Sequence, residues 1–194
     1  MNMIDSAIKT AREMLGPLGQ RWAHVQGVAQ RAAVLTLDLT KQERDLVVVA
    51  AWLHDIGYAP QLARSRFHPL DGARYVRAVG YPLVVVGLVA YHSGAVVEAH
   101  ERGLGSELAE VLAPPDLLLR RLTASDMTTS PAGYPIQASE RIEEILRRYP
   151  QHDPVHQAIR MSGLSLIDIA NAEDARARAA PHRIGPSSCH WLEA

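Results

Sequence analysis

Apolar residues recur at three- and four-residue spacing through almost all of this 194-residue chain. No stretch alternates apolar and polar residues with the period of two that marks a half-buried strand. The pattern predicts helices over residues 3–15, 21–38, 41–55, 69–79, 82–92, 105–112, 115–128, 138–148 and 154–178, and with them an all-α fold, a helical bundle. Local chemistry marks several ends. Gly16-Pro17 stops the first segment, and Thr40 stands three residues before Glu43, the spacing of a capping box, just ahead of an apolar run. Gly57 suits the position just past that helix. Pro69 suits a first helical turn with His68 as its N-cap. Val84-Val85-Val86 is β-branched but lies within the stretch from Pro82 to His92 and is read as helix. Leu46 to Leu53 is apolar all round, which predicts a central helix. Residues 1–150 are expected to form one helical domain, and 151–194 a C-terminal helical extension with a flexible tail. From about Glu173 the chain is rich in Ala and Arg, then Pro, Gly and Ser, and is expected to be loosely held or packed on a partner subunit.

Composition narrows the classes. Hydrophobic residues are 47% and charged residues 21% of the chain, which supports a core and excludes wholesale disorder. A formal net charge of −1 argues against a partner such as duplex nucleic acid, which calls for a basic face, and leaves a small anionic substrate open. The single cysteine, Cys189, cannot form an internal disulfide, so a reducing, cytoplasmic setting is expected. No membrane association is expected: Met1 to Leu15 carries Asp5, Lys9, Arg12 and Glu13, unlike a signal peptide, and the run Leu46–Leu53 is far shorter than the about 20 residues of a membrane-spanning helix.

Nine histidines stand against one phenylalanine, and their placement matters more than their number. His24 shares a helix face with Val28, Ala32 and Leu35. His54-Asp55 closes the most apolar segment, where two polar residues are costly to bury without partners. His68 opens one helix, His92 closes another on the face of Val85 and Leu88, and Asp126 lies on the face of Leu119 and Leu122. Each alone has an ordinary explanation: a hydrogen-bonded core histidine, a helix-end charge, a cap. Together they point to one site. Imidazole and carboxylate form a ligand set suited to Mn, Fe, Co, Zn or, least of these, Mg, and the lack of cysteine ligands disfavours structural zinc. Asp71 is read as a first-turn acid favoured by the helix dipole. His100, His152, His156, His182 and His190 are read as surface residues, and the charges between Glu140 and Arg148 as a solvated face. Gly103-Leu104-Gly105 follows no strand and is not read as a nucleotide fingerprint.

The order His24, His54-Asp55, Asp126 resembles the HD superfamily of metal-dependent phosphohydrolases. Arg21-Trp22-Ala23-His24 and Ala51-Trp52-Leu53-His54-Asp55-Ile56-Gly57 resemble its first two motifs. Phe67-His68-Pro69 and Tyr91-His92-Ser93-Gly94 are similar to the extra histidine motifs of members with two metals, among them bacterial diadenosine tetraphosphatases. After Asp126 the chain runs Met127-Thr128-Thr129, where the diadenosine enzymes have an acid and an arginine. The resemblance covers about residues 20–130 and implies a helical bundle holding one or two divalent ions. It implies that His24, His54, Asp55 and Asp126 hold a first metal, that Asp55 bridges to a second held by His68 and His92, and that Asp55 and His54 are central to catalysis. The implied reaction is hydrolysis of a phosphate ester or anhydride, of a nucleotide or dinucleotide, by a metal-activated water. Arg21, Arg64 and Arg66 are expected to contact the substrate because of their nearness in sequence to the ligands. Two other readings stay open: a di-iron oxygenase of the same superfamily, and a non-catalytic metal- or nucleotide-binding regulatory module. Assembly into a homo-oligomer is also left open.

Overall fold

A computed structural model describes residues 2–179. It contains ten α-helices among those residues: α1 (Met3–Leu15), α2 (Gln20–Leu35), α3 (Lys41–Leu53), α4 (His68–Ala78), α5 (Leu83–Tyr91), α6 (Ala95–Glu101), α7 (Gly105–Ala109), α8 (Asp116–Met127), α9 (Ala138–Arg148) and α10 (Pro154–Ala179). No strand forms among the described residues; a lone antiparallel bridge joins Thr129 to Pro135. The fold is all-α, as the periodicity predicts.

Helix ends follow the side chains available to satisfy their free N–H groups. Asn2 accepts from the backbone N–H of Asp5 at 2.8 Å, and the Asp5 carboxylate returns the bond to the Asn2 N–H. Thr40 and Glu43 close the capping box expected of them. Several boundaries differ from expectation, two of them at the candidate site. The third helix ends at Leu53, and the chain passes through His54 and Asp55 into a 3-10 turn, Ile56–Tyr58. His68 is the first residue of α4 rather than its cap; Phe67 takes the extended cap position, and Pro69 occupies the first turn. The pattern also missed α6, a seven-residue helix after Gly94 that is too short for a periodic signature and is held by packing against α10.

The apolar second half of α3 is buried, and α3 packs against α1, α2, α5 and α8, the central place its sequence predicts. By composition, Leu83–Glu101 is long and apolar enough to cross a membrane. In the fold it is two helices, broken where Ser93 and Gly94 adopt positive φ of 48° and 81°, and half of it is buried. A second apolar cluster joins Leu35, Ala124 and Met127 to Ile142, Ile145, Ile159 and Leu166, fastening α9 and α10 to α8.

The start of the tail is held more firmly than its composition suggests. Glu173 is fully buried near the end of α10. It accepts from Arg120 Nε at 3.0 Å and from Arg121 Nη1, while Arg121 Nη2 reaches Asp38 at 2.6 Å. Arg121 is itself fully buried, so the two charges make each other tolerable away from water. Residues 180–194, with His182, Cys189 and His190, lie outside the described residues. Removing the carboxylate with Glu173→Ala leaves Arg121 with a single acid partner and is expected to cost about 3–5 kcal/mol of stability in urea unfolding. An unchanged midpoint would show that the pair does not hold α10.

Candidate metal centre

Five helices deliver the polar cluster. Arg21 and His24 stand in α2, His54 and Asp55 follow the end of α3, His68 opens α4, His92 follows α5, and Asp126 lies near the end of α8. Two close backbone approaches set their spacing. A Cβ on Gly57 would lie 2.0 Å from the carbonyl oxygen of His68, so only glycine lets the turn after Asp55 lie against the start of α4. That packing, more than the helix stop expected of it, is what Gly57 does. A Cβ on Gly27 would lie 2.3 Å from the Gly133 carbonyl, so the loop after α8 sits directly on α2. This brings the Ser130 carbonyl to the ring of His24.

The six residues expected as ligands come together. Three overlapping groups, His24/His54/Asp55, His54/His92/Asp126 and Asp55/His68/His92, each place one candidate ligand atom per residue within 4.8 Å of the others. Because the groups share members, the cluster is continuous. All but His68 are buried, and His68 is half-buried. His24 Nε2 lies 3.0 Å from Asp126 Oδ1, His68 Nε2 3.3 Å from Asp55 Oδ1, and His68 Nε2 3.2 Å from His92 Nε2.

The opposite ring nitrogens fix how these imidazoles present themselves. Nδ1 of His24, His54 and His92 lies 3.0, 2.8 and 2.8 Å from the carbonyls of Ser130, Ala51 and Val89. A carbonyl only accepts, so each Nδ1 carries the proton, and a neutral ring then aims the Nε2 lone pair into the cluster. His54 Nε2 is buried there with no hydrogen-bond partner. Lone pairs and two carboxylates thus converge in a buried space, an arrangement a divalent cation satisfies. The donor set fits the metal that the resemblance implies.

Protonation agrees with this picture. Burial lowers the His54 pKa to about 4, against the pull of Asp55 and Asp126. Burial lowers His68 as well. For Asp55, burial acts upward, but Arg21 and the imidazoles of His54, His68 and His24 outweigh it and hold the carboxyl well below its ordinary range. For Asp126 too, burial acts upward and is outweighed by the nearby His24 and His54. Anionic carboxylates beside neutral imidazoles are the states in which both ligate.

Supporting side chains extend the cluster into a cleft. Arg21 Nη1 donates to Asp55 Oδ2 at 2.5 Å, and its guanidinium lies 3.9 Å from the centre of the Tyr58 ring. Tyr58 in turn stacks on His68, with ring centres 4.1 Å apart. The Ser93 hydroxyl donates to Asp126 Oδ2 from a left-handed backbone conformation that is uncommon outside glycine. Arg21 lines the cleft with the metal-ligand candidates, but Arg64 and Arg66 do not. They are exposed in a loop anchored by Asp71, whose buried carboxylate accepts from the backbone N–H groups of Arg64 and Ser65. Sequence reading also missed Tyr58, Glu98, Arg141, Arg148 and Tyr149 as cleft residues. Arg141 had a visible signal, since it shares a helix face with Ala138, Ile142 and Ile145. Of the histidines read as surface, His100 and His152 are exposed, but His156 is buried with Nδ1 2.9 Å from the Tyr149 carbonyl.

An all-helical body with histidines and aspartates gathered from separate helices defines a class of metal-binding proteins. A family profile described as HD domain matches residues 21–129, more than half of the chain, and the protein belongs to that family. No curated protein and no solved structure matches the chain.

A pH dependence follows for the metal-free protein. Between pH 6.5 and about 4 the unfolded chain takes up a proton at His54 that the folded chain refuses. Stability is therefore complete above the unfolded pKa and falls as pH drops through the folded one, by on the order of 3 kcal/mol from this residue. The lowered Asp55 and Asp126 act in the same direction at still lower pH. Urea unfolding of chelator-treated protein from pH 4 to 7.5 should show this slope, flattened in His54→Asn; a flat wild-type profile contradicts it.

Proposed function

We propose that this HD-domain protein is a metal-dependent phosphohydrolase that cleaves a phosphate ester or anhydride, of a nucleotide or dinucleotide. The observation that carries the reading is the buried cluster of four imidazoles and two carboxylates in which His54 Nε2 has no protein partner. His24, His54, Asp55 and Asp126 would hold one divalent ion, and Asp55, His68 and His92 a second. Bound there, such ions would supply an acidified water for attack on phosphorus and positive charge to offset the phosphoryl oxygens.

The chain's own residues divide the remaining work. Arg21 holds the Asp55 carboxylate in place and keeps it ionised. Ser93 fixes the second oxygen of Asp126, so that Oδ1 faces His24. Backbone carbonyls orient three imidazoles. Support for a nucleotide comes from the lining: cationic Arg21, Arg141 and Arg148 suit phosphate, and the rings of Tyr58 and Tyr149 suit a base or sugar. Within the family, the paired extra histidines favour a dinucleotide polyphosphate of the diadenosine type as a first substrate to try.

The test is a screen with manganese- or cobalt-loaded protein over mononucleotides, dinucleotides, cyclic dinucleotides and sugar phosphates, run without oxygen. Orthophosphate or nucleotide release is expected, and Asp55→Ala should lose bound metal and lower kcat at least about 1,000-fold together, since both roles meet in one carboxylate. Oxygen consumption with iron and no hydrolysis would favour oxygenase chemistry; an active, metal-loaded Asp55→Ala would contradict the assignment.

A further inference from the structure

The family match ends at residue 129, yet the cleft does not. Its far wall comes from α9 and α10, and the side chain there with the least satisfied chemistry is Arg141. It is 5% exposed. Its Nη1 donates to Glu144, while its buried Nε has no acceptor. The fully buried Arg121 also leaves Nε unpaired, but carboxylates engage both of its terminal nitrogens. Arg141 has one acid, and it shares that acid with Arg148, whose Nε lies 3.5 Å from Glu144. The two guanidiniums share one directly paired carboxylate; Asp126 feels the charge of Arg141 through space but accepts no hydrogen bond from it. The two arginines line the cleft, and Glu144 does not. The other acids facing the cleft have hydrogen-bond donors of their own: Asp55 has Arg21, Asp126 has Ser93 and Glu98 has Arg102.

A guanidinium this buried is normally paired, because its desolvation is costly and its planar fork is built for two-point contact with oxyanions. We propose that Arg141, with Arg148 at the rim, binds a phosphate of the substrate: an anion subsite that α9 adds to the centre from outside the matched family region. The proposal rests on the phosphohydrolase reading for the identity of its ligand, but the site itself stands on burial, the unpaired Nε and the sharing of one directly paired carboxylate by two guanidiniums. Its position places α9 in the role of substrate selection, since the six metal-ligand candidates all lie within residues 21–129 and Arg141 does not.

Orthophosphate binding to the manganese-loaded protein, measured by calorimetry, tests it, with metal content and steady-state kinetics measured alongside. Arg141→Gln is expected to weaken orthophosphate at least about tenfold and to raise KM similarly, with bound manganese unchanged; Arg141→Lys should recover part of the loss. Glu144→Gln frees the guanidinium and is expected to tighten orthophosphate about two- to fivefold. Should Arg141→Gln fail to fold, Glu144→Gln carries the test, and unchanged affinity in it overturns the proposal. Affinities within twofold of wild type in both variants, or a wild type that does not bind orthophosphate, also overturn it. Arg141-dependent binding in a protein that hydrolyses nothing would uphold the subsite and sink the hydrolase reading; turnover indifferent to Arg141 would do the reverse.

Discussion

Imidazole nitrogens and carboxylates turned toward one buried point are the constraint on which the rest of this structure depends. Each Nδ1 of His24, His54 and His92 is committed to a backbone carbonyl, so each Nε2 is turned inward, toward carboxylates that also only accept. Burial of such groups is tolerable only if something positive meets them. Arg21 meets part of Asp55, and nothing in the protein meets His54 Nε2. The helices are arranged around that requirement: α3 ends early so that His54 and Asp55 face inward, and Gly57 lets α4 begin close enough for His68 to face Asp55.

The same economy links the fold to the cleft. The buried Glu173 and Arg121 fasten α10 to α8, the helix that carries Asp126. Once fixed, α10 and α9 line the cleft together with the ligand cluster, and Arg141, Arg148 and Tyr149 come from this part of the chain. The HD region, 21–129, supplies the candidate metal ligands, and the C-terminal helices line the rest of the cleft. The candidate centre and the rest of the cleft lining are thus carried by different parts of one packed body.

Much of this was legible in the chain, for physical reasons that differ by residue. Helix periodicity and the Thr40–Glu43 box are local, and both were readable. His54-Asp55 stood out because two adjacent polar residues end the most apolar segment, and His24, His68, His92 and Asp126 followed from their order and flanks. What escaped depends on contacts distant in sequence. Arg64 and Arg66 lie near His68 along the chain, but Asp71 pins their loop and they do not line the cleft. Arg141 looked like one charge among many on a solvated face, and only packing of α9 onto α8 and α10 shows that it is buried. Glu173 looked like the start of a loose tail because its partners, Arg120 and Arg121, are some fifty residues away. The short α6 has no periodic signature and exists through its packing.

The central claim is that a divalent cation occupies the point where His54 Nε2 and the two carboxylates converge. Anomalous X-ray diffraction from crystals grown with manganese tests it directly. The account predicts a peak within bonding distance of His54 Nε2 and of an oxygen of Asp55 or Asp126. A crystal structure with no peak there, and with His54 Nε2 hydrogen-bonded instead to a protein group or a water, would contradict it.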